Sequence, residues 1–381
     1  MKAERFLNII NEYLGTDFYT GVPDSQLKPL CDTIYAKYSL GTRHIVAANE
    51  GAAVGLAAGH YIATGRPAMV YLQNSGIGNI INPVTSLLDE KVYGIPCVFV
   101  VGWRGEPGVK DEPQHIFQGE ITVQMLELVK IKCFIISKDT QEDELLEFVR
   151  QSAPIISEGR SVAFIVRKNA FEAASSPCYG NDNLMRREDA IRIIVEHAGN
   201  DDIFVSTTGK TSRELFEIRE RMNCGHERDF LTVGSMGHAS MIALGIALET
   251  PDKRVWCLDG DGAMLMHMGS MLILAKTGCR NLVHVLFNNG AHESVGGMPV
   301  AYGKADFCSL AEAAGYDICL KASSYSELEE VLKTVIKINE TCFIEVFVAL
   351  GSREDLGRPT VAPRENKTAL MNFLSEGKHI K

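Results

Sequence analysis

The chain repeats one 26-residue pattern at an offset of 186 residues, and this duplication constrains the fold more than any other feature of the sequence. Residues 51–76, GAAVGLAAGHYIATGRPAMVYLQNSG, align without a gap with residues 237–262, GHASMIALGIALETPDKRVWCLDGDG. Each copy reads as a helix of small residues, a turn, a buried strand and a glycine-containing loop. Shared alanine and glycine content could account for part of the identity, but we expect two domains of one fold. The identical pairs are Gly51/Gly237, Ala53/Ala239, Ala57/Ala243, Gly59/Gly245, Thr64/Thr250, Leu72/Leu258 and Gly76/Gly262.

Short β-branched runs alternate with helical patterns in both halves and predict the α/β class. These runs are apolar without strict alternation, which suits parallel strands buried on both faces by helices. In such sheets ligands bind at the carboxyl ends of the strands. Small and turn-forming residues in EAASSPCYGNDN predict a linker at 173–183 between domains at 1–172 and 184–381, with no third central domain. The runs are PAMVYLQ, PCVFVVG and SVAFIVR in the first half, and DIFVSTTG, RVWCLDG, LVHVLFNN and CFIEVFVAL in the second.

Composition excludes several classes of partner. A formal net charge of -10 argues against a nucleic-acid backbone or an anionic membrane surface as the main partner. The ten cysteines are scattered singly without C-x-x-C spacing, which favours reduced thiols over a disulfide or zinc framework. The N-terminal segment is expected to form an amphipathic helix rather than a signal peptide, and no apolar run reaches the ~20 residues needed to span a bilayer. We therefore expect a cytoplasmic protein. The apolar face of that helix comprises Phe6, Leu7, Ile10, Tyr13 and Leu14.

The segment after RVWCL has the composition of a metal and phosphate site. Asp261 lies between Gly260 and Gly262, and a 25-residue interval separates this Gly-Asp-Gly from Asn288 and Asn289. The glycines let the backbone approach a bulky anion closely. Aspartate, asparagine and a backbone carbonyl form an oxygen ligand set that suits Mg²⁺. Either half alone would more simply be a βα turn or an Asn-Asn-Gly turn, but the two together favour the metal site.

Gly-Asp-Gly followed at this distance by Asn-Asn resembles the signature of thiamin-diphosphate-dependent enzymes. The resemblance implies a pyrimidine-binding domain followed by a domain that binds diphosphate and Mg²⁺. It also implies that Asp261, Asn289 and the carbonyl oxygen of Ala291 ligate the metal. The diphosphate would lie against the loop after the DIFVS strand, at Thr207, Thr208 and Gly209.

Thiamin enzymes need two further groups, and the resemblance supplies a candidate for each. Glu50, in HIVAANEGAAVG, matches the glutamate that activates the cofactor from its pyrimidine N1′. In TVGSMGHA, Met236 matches the apolar wedge under the bent cofactor, and the Gly234 carbonyl would accept from the 4′-amino group. Without the metal motif, Glu50 would be a helix N-terminal acid favoured by the helix dipole, and Met236 an ordinary core residue.

The two-domain plan and six further segments resemble phosphonopyruvate decarboxylases, and nearly the whole chain takes part in the resemblance. It implies decarboxylation of phosphonopyruvate to phosphonoacetaldehyde and CO₂ in phosphonate biosynthesis. Sulfopyruvate decarboxylases share much of the pattern, but their two domains are usually separate chains, which favours the phosphonate reaction. A sulfopyruvate or other 2-oxoacid decarboxylase remains the alternative. The segments are GVPDSQLKPL, LQNSGIGNIINP, KDEPQH, STTGKTSRELFE, NNGAHESVGG and REDLGRP.

Candidates for the substrate pocket follow from the same resemblance. Asp24 follows the first strand, where decarboxylating relatives place an acid, and His115 resembles their pocket histidine, so we favour both as proton-transfer or orienting groups over a loop cap and a surface residue. Ser25, next to Asp24, is a candidate for substrate binding. A phosphonate needs cationic donors, although an arginine or lysine exposed to solvent is the ordinary case. The family builds each site between subunits, with the glutamate from one chain and the metal motif from another, so we expect at least a dimer. The cationic candidates are Arg104, Lys110, Arg353 and Arg358.

Two readings from other classes are weaker. Gly209, Lys210 and Thr211 match the end of a P-loop, but that motif needs a glycine where the chain has Phe204. A scaffold with a degenerate site would be expected to lack Glu50 or Asp261, and both are present.

Overall fold

A computed structural model describes residues 1–172, 177–301, 303 and 305–376. Contacts divide the chain into two compact units. Unit 1 comprises Met1–Tyr179 and Met298–Ala301, and unit 2 comprises Gly180–Gly297 and Tyr302–Lys381. Residues 173–176 of the expected linker lie outside the described residues.

Unit 1 is built on a six-stranded parallel sheet. Its strands are β1 (Tyr19–Gly21), β2 (His44–Val46), β3 (Ala68–Gln73), β4 (Cys97–Gly102), β5 (Lys132–Ile136) and β6 (Val162–Val166). They lie in the order β2-β1-β3-β4-β6-β5. The helices are α1 (Ala3–Leu14), α2 (Lys28–Tyr38), α3 (Glu50–Thr64), α4 (Ile77–Pro83), α5 (Pro113–Leu128) and α6 (Glu142–Ser157), with a 3-10 turn at Asn74–Gly76 and a π turn at Val84–Leu88.

Unit 2 contains the second six-stranded parallel sheet. The strands of unit 2 are β7 (Ile203–Ser206), β8 (Asp229–Leu231), β9 (Val255–Gly260), β10 (Leu282–Asn288), the two-residue strand β11 (Ala291–His292), β13 (Ile318–Ala322) and β14 (Cys342–Phe347). The two-residue strand β12 (Met298–Pro299) lies between β11 and β13 in the sequence but belongs to unit 1. The sheet order is β13-β14-β10-β9-β7-β8. The helices are α7 (Arg187–His197), α8 (Lys210–Met222), α9 (Ala239–Glu249), α10 (Asp261–Met266), α11 (Ser270–Lys276), α12 (Phe307–Ala314), α13 (Tyr325–Val335) and α14 (Pro363–Glu376), with a 3-10 turn at Glu293–Val295.

The two sheets have the same topology, which supports the duplication expected from the sequence. Read from β8, the second sheet runs β8-β7-β9-β10-β14-β13, and each strand holds the same rank along its chain as its counterpart in β2-β1-β3-β4-β6-β5. The offset of 186 residues carries β3 onto β9 to within one residue. The predicted α/β class with two helix-flanked parallel sheets is confirmed.

Alternate side chains of the central strands face two separate apolar cores, one on each side of the sheet. In β3, Met69 and Tyr71 pack into one core of unit 1, and Val70 and Leu72 pack into the other. Because a strand turns successive side chains to opposite faces, helices on both faces require apolar residues at every position. This explains the continuous apolar runs in the sequence. Unit 2 repeats the arrangement in β9, with Trp256 and Leu258 on one face and Val255 and Cys257 on the other.

Helix α1 follows the predicted period. Its buried side chains include four of the five residues placed on its apolar face, and Ile9, at the edge of the same stripe, is buried as well. Tyr13 lies on this face in the last turn of the helix and is 38% exposed. All ten cysteines are free thiols. Across the described part of the chain, every helix is too short or too polar to cross a bilayer.

Candidate functional site

The Asp261 side chain joins the two halves of the Gly-Asp-Gly and Asn-Asn motif. Asp261 follows β9 as the first residue of α10, where its Oδ1 accepts from the Gly262 N–H at 2.6 Å. Its Oδ2 accepts from the Gly290 N–H at 2.7 Å, in the loop after β10. The residue is 3% exposed, and burial raises the pKa of its carboxyl to about 7. Among the described residues, the hydrogen-bond donors to this carboxylate are neutral backbone N–H groups, so it is suited to a cation, which would restore its ordinary ionisation.

The two adjacent asparagines point to different partners. Asn288 donates from Nδ2 to Glu345 Oε1 at 2.8 Å, so it connects β10 to β14 in the interior of the sheet. Asn289 lies in the loop, where its Nδ2 donates to Glu293 Oε2 at 2.9 Å and its Oδ1 accepts from the Ala291 N–H at 3.0 Å. Asn289, Ala291 and Asp261 therefore belong to one pair of touching loops, as expected for the predicted ligand set.

A buried ionic cluster adjoins Asn289. Arg187 donates to Glu214 through Nε and Nη2 at 2.7 and 2.9 Å, and to Glu293 through Nη1 at 2.6 Å. Lys210, the first residue of α8, pairs with Glu293 Oε1 at 2.9 Å. Burial opposes ionisation of Glu293, but Arg187 and Lys210 outweigh it and lower the pKa of that carboxyl. Two cations and two carboxylates thus neutralise one another beside the metal loop.

The loop between β7 and α8 contains the residues expected at the diphosphate. The Thr207 hydroxyl is buried and has no hydrogen-bond partner among the described residues. Thr208 Oγ1 accepts from the Gly234 N–H at 2.9 Å, and Gly209 has φ +104°. An orphaned hydroxyl at the start of a 13-residue helix, one strand away from Asp261, suits a phosphate. The donors of this unit therefore fit Mg²⁺ and a diphosphate.

The Met236 loop is held in an unusual backbone conformation. Gly234, Ser235 and Gly237 have φ values of +73°, +46° and +88°, and Ser235 is among the few non-glycine residues of the chain in the left-handed region. A Cβ on Gly237 would approach the Ala263 carbonyl oxygen to 2.9 Å, so the loop packs directly on α10. The half-buried Met236 is thereby fixed close to the Gly-Asp-Gly turn.

Glu50 lies at the first position of α3 in unit 1 and is 4% exposed. Its Oε2 accepts from Asn79 Nδ2 at 2.7 Å, and burial raises the pKa of the carboxyl. A Cβ on Gly76 would lie 2.3 Å from Glu50 Oε1. The glycine after β3 is therefore what makes room for the carboxyl.

Asp24 is a second buried carboxyl of unit 1, in the loop after β1. Its Oδ2 accepts from the Gln26 N–H at 2.9 Å, and its Oδ1 accepts from Gln73 Nε2 at 2.5 Å. Burial raises the pKa of this carboxyl. A Cβ on Gly102 would approach Asp24 Oδ2 to 2.2 Å, so a glycine at the end of β4 again makes room for an acid.

Arg104 and Ser25 lie near Asp24, and His115 lies near Arg104. Arg104 donates to both carboxylate oxygens of Asp111, at 2.8 and 2.5 Å, and its Nη1 is 3.3 Å from Ser25 Oγ. Burial opposes ionisation of Asp111, but Arg104 lowers the pKa of its carboxyl. His115 is buried, and burial together with the Arg104 charge lowers the pKa of its imidazole to about 4. A neutral imidazole accepts a hydrogen bond on one nitrogen and donates on the other.

The other cationic candidates are spread over both units. Lys110 is exposed in the same loop of unit 1 as Arg104, and Arg358 is exposed in unit 2. Arg353 is engaged with three carboxylates of unit 2, Glu188, Glu217 and Asp355. Arg353 therefore closes an ion-pair network of its own unit, which makes it a poor candidate for the phosphonate.

A further polar group lies under the Gly-Asp-Gly turn. Cys257, Asp259 and His284 are buried, with their ligand atoms within 4.8 Å of one another. His284 already has both nitrogens engaged, Nδ1 with Tyr316 Oη at 3.0 Å and Nε2 with Asp259 Oδ2 at 3.4 Å. Asp259 Oδ1 accepts from the Gly260 N–H at 2.8 Å. We therefore interpret the group as support for the turn that presents Asp261.

Sequence reasoning missed the residues that position these side chains. Gly76 was visible as one of the repeated glycines, but nothing in the sequence indicated that it faces Glu50. Gly102, Gln73 and the cluster around Arg187 gave no signal, because their roles depend on contacts between distant segments.

Comparison with known proteins agrees with this geometry. Residues 3–155 match the family model described as thiamine pyrophosphate enzyme, N-terminal TPP binding domain, and residues 208–346 match the corresponding C-terminal TPP binding domain. A phosphonopyruvate decarboxylase from Streptomyces viridochromogenes is 33% identical, over 92% of this chain and 90% of the relative. The chain belongs to the thiamin-diphosphate-dependent decarboxylases. It is accordingly a carboxy-lyase that uses thiamin diphosphate to decarboxylate a 2-oxoacid.

Two more relatives bear on the choice of substrate. A phosphonopyruvate decarboxylase from Streptomyces hygroscopicus is 32% identical, over 95% of this chain and 92% of the relative. A sulfopyruvate decarboxylase from Methanosarcina acetivorans is 28% identical, over 92% of each chain. This relative carries both domains in one chain. A fused pair of domains therefore does not distinguish phosphonopyruvate from sulfopyruvate decarboxylases, and the argument from separate chains no longer favours the phosphonate reaction.

Proposed function

We propose that this decarboxylase converts 3-phosphonopyruvate to phosphonoacetaldehyde and CO₂ with thiamin diphosphate and Mg²⁺, in phosphonate biosynthesis. The observation that carries the proposal is the similarity over more than nine-tenths of the chain to two phosphonopyruvate decarboxylases. The buried Asp261, joined to the Asn289 loop through Gly290, supports the metal, and the buried Glu50 supports the cofactor role.

The residues of unit 2 would hold the cofactor by its charged end. Asp261, Asn289 and the Ala291 carbonyl would bind Mg²⁺, while Thr207, Thr208 and Gly209 would donate to the diphosphate. When bound, thiamin diphosphate supplies a nucleophilic carbon and an electron sink for the loss of CO₂. Met236 and the Gly234 carbonyl would fix the orientation of its rings.

The residues of unit 1 would hold and transfer protons. Burial favours the protonated form of Glu50, which can donate to the pyrimidine N1′. Asp24 is buried and favours its protonated form for the same reason, so it can deliver a proton to the substrate carbon after CO₂ has left. The neutral His115 would orient the substrate by a hydrogen bond.

The phosphonate would lie against the edge of Arg104 that faces Ser25. Asp111 holds the opposite edge of the guanidinium, so Arg104 is presented in a fixed direction. A charge-assisted hydrogen bond contributes about 1.5–3 kcal/mol, which is about one to two orders of magnitude in affinity. Lys110 and Arg358 are the next candidates.

The proposal is tested by comparing kcat/KM for phosphonopyruvate, sulfopyruvate and pyruvate, each with thiamin diphosphate and Mg²⁺. The expected order places phosphonopyruvate first. A higher value for sulfopyruvate would instead establish the second candidate function, which the single-chain relative from Methanosarcina acetivorans favours.

Arg104→Ala should lower kcat/KM for phosphonopyruvate by at least about tenfold, because one charge-assisted contact is lost. The slow turnover of pyruvate, which has no phosphonate, should change little. Equal losses on both substrates would mean that Arg104 only supports its loop, and Lys110 or Arg358 would then be examined.

We also propose a cytoplasmic homo-oligomer. Ten free thiols suit a reducing compartment. The expectation that Glu50 of one chain acts with Asp261 of another requires at least two copies.

A further inference from the structure

Glu293 connects the side chain of Asn289 to the buried ionic cluster. Its Oε2 accepts from Asn289 Nδ2 at 2.9 Å and from Arg187 Nη1 at 2.6 Å, while its Oε1 is 2.9 Å from Lys210 Nζ. Glu214 fixes Arg187 from the other side. Both oxygens of Glu293 are thus held by cations at the starts of α7 and α8.

The amide of Asn289 has two chemically different ends, and only its oxygen can bind a cation. An ionised carboxylate accepts hydrogen bonds and cannot donate them. Glu293 therefore requires Nδ2 to face it, which turns Oδ1 to the opposite side of the amide. The contacts with Arg187 and Lys210 keep the carboxylate in place, and the Ala291 N–H, which donates to Oδ1 at 3.0 Å, favours the same orientation of the amide.

We propose that Glu293 is a positioning residue that sets the orientation of the Asn289 carboxamide and thereby the affinity of the metal site. The inference rests on the proposed function in one respect, namely that Asn289 is a metal ligand. Glu293 itself does not bind the metal. Residues that orient metal ligands in this way typically contribute about 10–100-fold to metal affinity.

The test compares Glu293→Gln with the matched control Glu214→Gln. Both substitutions remove one carboxylate from Arg187, but only Glu293 contacts Asn289. In E293Q the side chain keeps one acceptor oxygen in place of two, so it cannot accept from Arg187, Lys210 and Asn289 together, and the orientation of the Asn289 amide is no longer imposed. Calorimetric titration of Mg²⁺ into the full chain with thiamin diphosphate should show a Kd raised at least about tenfold in E293Q and changed less than about twofold in E214Q. Equal changes in the two variants would overturn the proposal.

If E293Q folds poorly, exchanging the carboxylate and the amide between positions 289 and 293 provides a second test. In Asn289→Asp two carboxylates face each other, whereas in the N289D/E293Q double variant the glutamine can donate to the new aspartate. The double variant should therefore bind Mg²⁺ more tightly than N289D. If Glu293 had a purely structural role, E293Q would weaken Mg²⁺ binding or leave it unchanged both in the wild type and in N289D. That result would contradict the inference.

Asp261→Ala separates failure of this inference from failure of the proposed site. The variant should lose both Mg²⁺ and thiamin diphosphate, because the metal loses its anionic ligand. Unchanged Mg²⁺ affinity in D261A would place the metal elsewhere and defeat the proposed site. Loss in D261A together with matching values for E293Q and E214Q would leave the site intact and refute only the positioning role.

Discussion

Asp261 and Glu50 are both buried carboxyls, but their surroundings suit them to different chemistry. Asp261 is held by two backbone N–H groups in a turn, next to the loop that contributes Asn289. Glu50 has one amide donor, Asn79, and is confined by Gly76. The first environment fits the metal ligand proposed for Asp261, and the second fits the proton-holding role proposed for Glu50.

Glu50→Gln should leave cofactor binding close to wild type and slow deprotonation of the cofactor's C2 by at least about a hundredfold. The amide can still hydrogen-bond N1′, but it cannot exchange a proton with it. The readout is hydrogen–deuterium exchange at C2, followed by NMR with thiamin diphosphate bound. Wild-type exchange in this variant would remove Glu50 from the mechanism.

At the residue scale, the sequence could predict the groups that belong to a local motif. Asp261 and Asn289 are marked by glycine and asparagine neighbours, and Glu50 by its position before a small-residue helix. Glu293 lies in the same NNGAHES segment, but the role proposed for it depends on Arg187 and Lys210, which are distant in sequence. Ion pairs between residues distant in sequence produce no recognisable pattern in a single sequence.

The ends of β3 and β4 show how whole elements create the site of unit 1. Each strand leads to a glycine, and a buried carboxyl occupies the space that a side chain at that position would fill. Glu50 lies against Gly76 in this way, and Asp24 lies against Gly102. The strand ends thus set the space available to both acids.

Gly76→Ala should displace the Glu50 carboxyl and lower kcat by at least about tenfold, while the melting temperature changes by only a few degrees. The fold should tolerate the methyl group, because Gly76 has φ −80° and the nearest atoms belong to a flexible side chain. Gly78→Ala is the control, since a Cβ there meets nothing within 4 Å. Equal activity of the two variants would show that the position of Glu50 does not depend on Gly76.

His44, on β2, gives the sheet of unit 1 a pH dependence. Its Nε2 lies 2.8 Å from Tyr71 Oη, and burial lowers the pKa of the imidazole to about 4. As the pH falls, the unfolded chain therefore takes up the proton before the folded chain does. The contribution of neutral His44 to the free energy of unfolding is complete above about pH 6.5 and is lost toward pH 4. Between pH 8 and pH 5 the wild type should lose about 2 kcal/mol of unfolding free energy through this residue. Urea unfolding of His44→Gln should show a correspondingly shallower pH dependence, and parallel curves would exclude His44 as the source.

Element prediction succeeded where strands are long and buried on both faces. The runs that gave β3, β4, β9 and β10 are continuous and apolar because two cores require them to be. The three-residue strands β2 and β8 are too short to show a pattern, and β5 has exposed positions among its five residues. Their pairing is decided by neighbouring strands rather than by their own sequence.

At the scale of the whole molecule, duplication gave two units of one topology and different chemistry. Unit 1 holds the acids Glu50 and Asp24, and unit 2 holds Asp261 and Asn289. The aligned positions have diverged accordingly, since Glu50 in one copy corresponds to Met236 in the other. In the proposed function the activating glutamate belongs to unit 1 and the metal motif to unit 2.

Mixing two inactive chains tests how the units combine. If each site takes Glu50 from one chain and Asp261 from another, a mixed dimer of Glu50→Gln and Asp261→Ala chains has one site with both defects and one intact site. Random reassociation of equal amounts makes half of the dimers mixed, so about a quarter of wild-type activity should return. Each variant reassociated with itself is the control and should stay inactive. If every site were built within a single chain, every site would carry one defect, and the mixture would stay as inactive as its components.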